Sequence, residues 1–157
     1  MSVEIERKFL VKNDDFKKEY HTKINIKQGF LNSDKNRVVR IRVTNNKAFI
    51  TIKGITNSSG TTRFEWEKEI DIKDAEELLL LCEPTIIEKT RYLIEIGNHT
   101  YEVDEFFGEN EGLVVAEIEL NSENENFNKP TWLDKEVTGD IKYYNSSISK
   151  HPFKNWA

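Results

Sequence analysis

Cysteine is almost absent: Cys82 is the only one in 157 residues. That excludes an intramolecular disulfide framework and fits a reducing compartment. Cys82 lies in "EELLLLCEP", where a free thiol is expected to serve as a small packing group. Long apolar runs are missing too. The longest, Leu78 to Cys82, is far shorter than the ~20 residues that a membrane-spanning helix needs. The N-terminus is charged and has no secretory h-region, so a soluble cytoplasmic protein is expected. With only three prolines and seven glycines, the chain shows no long linker, low-complexity tract or internal repeat. A single domain over 1–157, large enough for a real core, is the expectation. Histidine is scarce as well. His21, His99 and His151 lack the spacing of a shared metal site, and surface roles are expected for them.

What the chain has is charge. Charged residues make up 32% of it against 37% hydrophobic ones, with 23 basic and 28 acidic side chains and a net charge of −5. A mildly acidic total argues against nonspecific binding to nucleic acid or an anionic membrane, while leaving room for a local basic site.

The charges are ordered. In "VEIERKFLV", from Val3, a period of two puts Glu4, Glu6 and Lys8 on one face and Val3, Ile5, Arg7, Phe9 and Val11 on the other, the signature of a strand. The pattern returns in "VVRIRV" (Arg40, Arg42), "AFITIKG" (Lys53), "RFEWEKEIDI" (Glu65, Glu67, Glu69), "EKTRYLIEI" (Lys89, Arg91), "TYEVDEF" (Glu102, Asp104) and "LVVAEIEL" (Glu117, Glu119). "INIKQGFL" reads as a further strand whose inward phase is ambiguous. "NSSG" at Asn57–Gly60 and "GN" at Gly97–Asn98 read as hairpin turns. Helices are few. Short ones are predicted at "DDFKKEY" near Asp14, at "DAEELLLLCE" from Asp74 with Pro84 as its stop, at "PTWLDKEV" from Pro130, and at "KYYNSSISK". The terminal "KHPFKNWA" is expected to be a tail or packing strip. Short strands separated by turns point to an antiparallel barrel.

A solvated outer face would explain one such strand. It gives no reason for cations and carboxylate pairs to be sorted onto different strands. A closed barrel does, because inward and outward positions alternate along every strand. With the charged phase inward, the lumen holds Lys8, Arg40, Arg42, Lys53, Lys89 and Arg91 together with Glu4, Glu6, Glu67, Glu69, Glu102, Asp104, Glu117 and Glu119. The only aromatics to which this phase extends are Phe49 and Phe106, with Phe30 uncertain. Paired carboxylates suit a hard divalent cation, Mg²⁺ or Mn²⁺, and clustered arginine and lysine suit phosphate oxygens. The competing explanation is a network of internal salt bridges.

"EIERK" matches the E-x-E-x-K signature of the triphosphate tunnel metalloenzymes, the CYTH superfamily. "KQGFL", "VVRIR", "TIKG", "EWEKEI", "EKTRY", "YEVDEF", "VVAEIEL" and "EVTGDIKYYN" resemble that family's segments in its order, over nearly the whole chain. The resemblance implies a mainly β (α+β) fold, an eight-stranded antiparallel β-barrel tunnel with a few flanking helices. It implies Glu4, Glu6, Glu117 and Glu119 around a catalytic Mg²⁺ or Mn²⁺, with Asp104 nearby. Lys8, Arg40, Arg42, Lys53, Lys89 and Arg91 look like the phosphate clamp, and Glu67 and Glu69 like its supporting pair. Phe30 stands where many relatives have tyrosine, so a mechanism that uses a tyrosine proton there does not carry over.

The function expected from these readings is metal-dependent hydrolysis of a triphosphate, inorganic tripolyphosphate first, to diphosphate and phosphate. Lys53 or Lys89 is the candidate base, since crowding among cations depresses a lysine pKa. A class IV-type adenylate cyclase, a thiamine triphosphatase and a noncatalytic polyphosphate-binding module are the alternatives. The expected partner is a small anionic substrate, with no nucleic acid and no membrane, and the chain acts as a monomer or homodimer.

Overall fold

The computed structural model describes residues 2–156. The alternating segments form β1 (Ser2–Val11), β2 (Thr22–Asn32), β3 (Val38–Val43), β4 (Ala48–Thr56), β5 (Thr62–Ile70), β6 (Ile87–Ile96), β7 (His99–Phe106) and β8 (Val114–Glu119). They pair antiparallel in the order β5-β4-β3-β2-β6-β7-β8-β1. The ring closes because β1 also pairs with β5, Glu4 opposite Arg63 and Ile5 opposite Thr62. Both predicted hairpin turns are present, with Gly60 and Gly97 at positive φ.

A ninth short strand, β9 (Leu133–Glu136), adds to β1 outside the ring. It corrects the expectation of a helix from Pro130. Trp132 is fully buried, and its carbonyl accepts from the Lys12 N–H at 3.0 Å, which carries the chain into the β1 ladder. The indole packs edge-on against Phe16 and Tyr101 at 6.0 and 5.5 Å. Burying that ring outweighs proline's local preference for a first helical turn.

The barrel is apolar outside. Tyr92, Ile94, Tyr101, Val103, Ala116 and Ile118 point away from the lumen and are covered by Phe16, Trp132 and Leu133. On the other flank, α1 (Ile72–Leu79) packs Ala75, Leu78 and Leu79 against Ile41, Ala48 and Ile50. It starts two residues before the predicted Asp74, after Asp71, and ends ahead of Pro84. Cys82 lies in the turn that follows, and burial pushes its thiol up to about 11, as suits a packing group. A Cβ on Gly29 would come within 2.9 Å of the Cys82 Cβ and 2.7 Å of Ile86 Cδ1, so β2 must carry glycine there. That contact turns Gly29 outward and settles the phase of β2, with Gln28 and Phe30 inward.

One end of the lumen is filled. Phe30, Val38, Ile87, Phe106 and Val115 occupy inward positions and pack around Ile148 of α2 (Asn145–Lys150), with Tyr143, Phe153 and Trp156 behind it. The terminal strip is therefore a packing element, although Ala157 lies outside the described residues. The expectation of an almost wholly charged lumen is corrected here, because inward residues at this end meet the returning C-terminus and not water. Among the described residues no helix is long and apolar enough to cross a membrane.

Candidate active site

The rest of the lumen is a cavity of about 220 Å³. All six predicted cations, Lys8, Arg40, Arg42, Lys53, Lys89 and Arg91, line it. So do Glu4, Glu6, Glu67, Glu102, Glu117 and Glu119. Two predicted residues do not. Glu69 is exposed at the end of β5, and Asp104 points inward but is buried against Lys89 and Arg91.

The walls are of opposite character. In the ring order, β3 and β2 lie across the barrel from β1 and β8. Arg40 and Arg42 on β3 therefore face the wall that carries Glu4, Glu6, Glu117 and Glu119. On that acidic wall Glu6 stands directly opposite Glu119, and Glu117 pairs with Lys8 on one side and Glu102 on the other. Burial, then Glu117 and Glu4, push the Glu6 carboxyl well above its ordinary range. Burial and Glu4 raise Glu119 as well. Glu117 goes the other way: burial acts upward, but Lys8, its ion-pair partner at 3.6 Å, and Arg91 hold it down to about 2. Lys53 sits 3.1 Å from Glu4 and 3.5 Å from Glu65.

The basic wall is held by a chain of side-chain bonds. Arg42 Nε donates to Gln28 Oε1 at 2.8 Å, and Gln28 Nε2 donates to Asn145 Oδ1 at 2.7 Å. Lys89 Nζ donates to the same Asn145 oxygen at 2.8 Å and lies 2.7 Å from Asp104 Oδ2. Arg91 grips Asp104 in a fork, Nε to Oδ1 at 2.8 Å and Nη2 to Oδ2 at 2.9 Å. Asp104 is thus the counterion of two cations. Burial alone would raise its carboxyl, but Arg91 and Lys89 hold it far below the usual range. Burial, reinforced by Arg91 and Arg42 and opposed by Asp104, lowers the Lys89 amine to about 7. Arg42 is lowered well below the guanidinium range by burial and by Arg40 and Arg91. The Arg40 Nε is buried with no hydrogen-bond partner among the described residues, although its Nη2 reaches Thr51 at 3.1 Å and Glu67 at 3.6 Å. A buried donor left unmet costs about 1–3 kcal/mol.

Sequence reasoning left Tyr143 and Tyr144 open between capping the tunnel and packing, and missed Arg63, Glu65 and Asn145 as lining residues and Gln28 and Thr51 as supports of Arg42 and Arg40. Glu65 was within reach of it: β4 and β5 pair so that Lys53 faces Glu65, whereas Glu69 faces Phe49 near the far end. Tyr144 comes in from outside the barrel strands, with Lys8 Nζ and Arg63 Cζ over its ring at 5.1 and 5.5 Å. Tyr143 packs instead against Trp156.

A hard cation fits the donor set of the acidic wall. Four carboxylates from two adjacent strands meet there, and two of them, Glu6 and Glu119, are raised by burial and by neighbouring carboxylates, which is the repulsion a divalent ion relieves. Among the described residues no three acidic, histidine or cysteine side chains are already drawn into ligating geometry.

The CYTH domain profile matches residues 2–151. An inorganic triphosphatase of Acetivibrio thermocellus is 48% identical over 157 residues, covering 99% of each chain. An inorganic triphosphatase of Nitrosomonas europaea is 33% identical over 150 residues, covering 93% of this chain and 96% of the relative. Among solved structures, the inorganic triphosphatase NE1496 superposes with a TM-score of 0.65 at 32% identity, covering 92% of this chain and 96% of that one. With its closed barrel and charged lumen, the chain belongs to the CYTH domain family.

Proposed function

We propose that this protein hydrolyses a linear triphosphate, inorganic tripolyphosphate before organic triphosphates, to diphosphate and phosphate, and that it requires Mg²⁺ or Mn²⁺. The observation that carries this reading is the cavity itself, with the cationic wall of Arg40 and Arg42 across from a wall of crowded carboxylates. The names of the two relatives support the same substrate class.

Phosphoryl transfer depends on positioning and charge stabilisation. Arg40 and Arg42 bind phosphate oxygens, with Gln28 on Arg42 Nε leaving the outer nitrogens of that fork for the ligand. Arg91 commits its fork to Asp104 and serves mainly to shape the field around Lys89. Glu4, Glu6, Glu117 and Glu119 would hold the divalent ion, which when bound neutralises phosphate oxygens and orients water. Lys89 is the better placed of the two candidate bases. As a neutral amine it keeps two N–H groups for Asp104 and Asn145 and turns its lone pair toward the cavity, where it takes the proton of the attacking water. The P–O bond to the leaving diphosphate then breaks. Lys53, between Glu4 and Glu65, balances the acidic wall.

The test is a competition assay with tripolyphosphate, ATP and thiamine triphosphate under Mg²⁺ and under Mn²⁺, with the products identified. Tripolyphosphate is expected to have the highest kcat/KM, and chelator to abolish turnover. Cyclic AMP as the main product from ATP, or binding of tripolyphosphate without turnover, overturns the reading.

A further inference from the structure

We propose that Asn145 is a substrate-binding residue whose Nδ2 amide group donates to the phosphate chain as an uncharged partner, while its Oδ1 holds Lys89 and Gln28. The proposal deepens the triphosphate reading above and rests on it for the identity of the substrate.

The geometry fixes which way the amide points. The Asn145 atom 2.8 Å from Lys89 Nζ is the carbonyl oxygen. That oxygen also lies 2.7 Å from the Gln28 amide, which must therefore present Nε2. Gln28 then turns Oε1 to Arg42, and the partner waiting there at 2.8 Å is Nε, a group that only donates. The arginine end fixes both amides, so neither can be flipped without setting N–H against N–H. Asn145 Nδ2 must face away from this chain of bonds. It has no hydrogen-bond partner among the described residues, and Asn145 lines the cavity. Two N–H groups are thus left free on a residue that lines the cavity.

Both ask for an acceptor, and a phosphate chain supplies acceptor oxygens along its length. An amide donor has an advantage in this lumen. Lys8, Lys53 and Arg91 are each ion-paired with a carboxylate of the protein, and an amide has no such rival. Asn145 is also delivered from outside the barrel wall, by α2, whose Ser146, Ile148 and Ser149 are buried in the closed end of the lumen. That anchor gives the amide a fixed position.

The experiment compares Asn145→Asp with Asn145→Ala. Aspartate keeps an oxygen for Lys89 and Gln28 but replaces the outward N–H groups by a charged acceptor. Alanine removes both functions. Tripolyphosphate binding is measured by calorimetry in EDTA, and turnover with Mg²⁺. Aspartate is expected to weaken binding roughly 100-fold and alanine roughly 10-fold, the range for hydrogen bonds to charged groups. If Asn145 only supports Lys89 and Gln28, the order reverses, and aspartate binding as well as or better than alanine overturns the proposal. A second measurement needs no variant. The Asn145 side-chain amide cross-peak of the wild-type protein is followed by NMR during titration with inorganic diphosphate in EDTA. It is expected to shift; a peak that stays fixed overturns the proposal whatever the turnover. A peak that shifts in a protein that does not hydrolyse tripolyphosphate leaves Asn145 as an anion ligand and removes the enzymatic reading instead.

Discussion

Glu6 on β1 and Glu119 on β8 face each other directly across the ladder, both with carboxyls raised by burial and neighbouring carboxylates. Like charges opposite one another destabilise a sheet by up to about 1 kcal/mol. Glu6→Gln and Glu119→Gln are therefore expected to lose most turnover and yet melt in EDTA at the same temperature as wild type or a few degrees higher. Mg²⁺ should raise the wild-type Tm by mass action and have little effect on either variant. Thermal melts with and without Mg²⁺ check this. A variant less stable than wild type in EDTA would show that the pair has a structural role.

Acidification should stabilise the metal-free protein over a defined window. Burial, then Glu4, raise Glu65 from 4.5 to about 7, so the folded protein holds a proton that the unfolded chain has released. Stability from this group rises as pH falls through about 7 and is complete below 4.5. Glu6 acts in the same direction. Glu117 opposes it only between 4.5 and about 2, and Lys89 contributes its slope above about 7. Urea unfolding in EDTA should give more stability at pH 5 than at pH 7.5, and Glu65→Gln should reduce the difference. A flat profile in wild type would contradict the raised carboxyl.

Lys89 should govern the pH dependence of turnover. With its amine lowered to about 7, kcat/KM is expected to rise through neutral pH as the base form appears. Bound polyphosphate adds negative charge beside it, so the corresponding limb in kcat should lie at higher pH. Lys89→Arg keeps a positive charge but cannot act as base, and should cost roughly 100-fold or more in kcat and lose that limb. An unchanged profile would transfer the role of base away from Lys89.

Arg40 should act mainly on binding. Arg40→Lys keeps the charge and removes the unmet Nε donor and the planar fork. KM for tripolyphosphate is expected to rise about 10-fold, the worth of one or two charge-assisted bonds. Steady-state kinetics at saturating metal read the split. A lower kcat at unchanged KM would place Arg40's effect in the transition state alone.

Much of this was legible in the sequence because the period of two is a strong signal when one phase is charged. Seven of the barrel strands, two of their hairpin turns and the inward phase of the six cations follow from alternation, and the count of eight from the family resemblance. Three kinds of feature did not. Register cannot be read from one strand, so Glu69 stood in for Glu65 until the β4–β5 pairing fixed which carboxylate meets Lys53. Segments that leave the strands and return to the site, such as the one that carries Asn145, have no period to reveal them. Tertiary burial overrode local preference at Trp132, where a proline that favours a helical start leads into a strand. Gln28 hid because β2 is polar and apolar on both faces, and only the contact of Gly29 with Cys82 and Ile86 sorts them.

The inside-out arrangement of this barrel has a consequence for how the molecule can change. Most of the apolar burial that drives folding lies on the outer skin and in the closed end, around Trp132, Ile41 and Ile148, while the chemistry lines the interior. Replacing a lumen residue leaves that skin intact, and where it relieves repulsion it leaves the protein no worse folded. A lineage, or a designer, can therefore alter which anion the lumen accepts one side chain at a time without first reinforcing the scaffold. The usual trade between activity and stability is weakened by architecture.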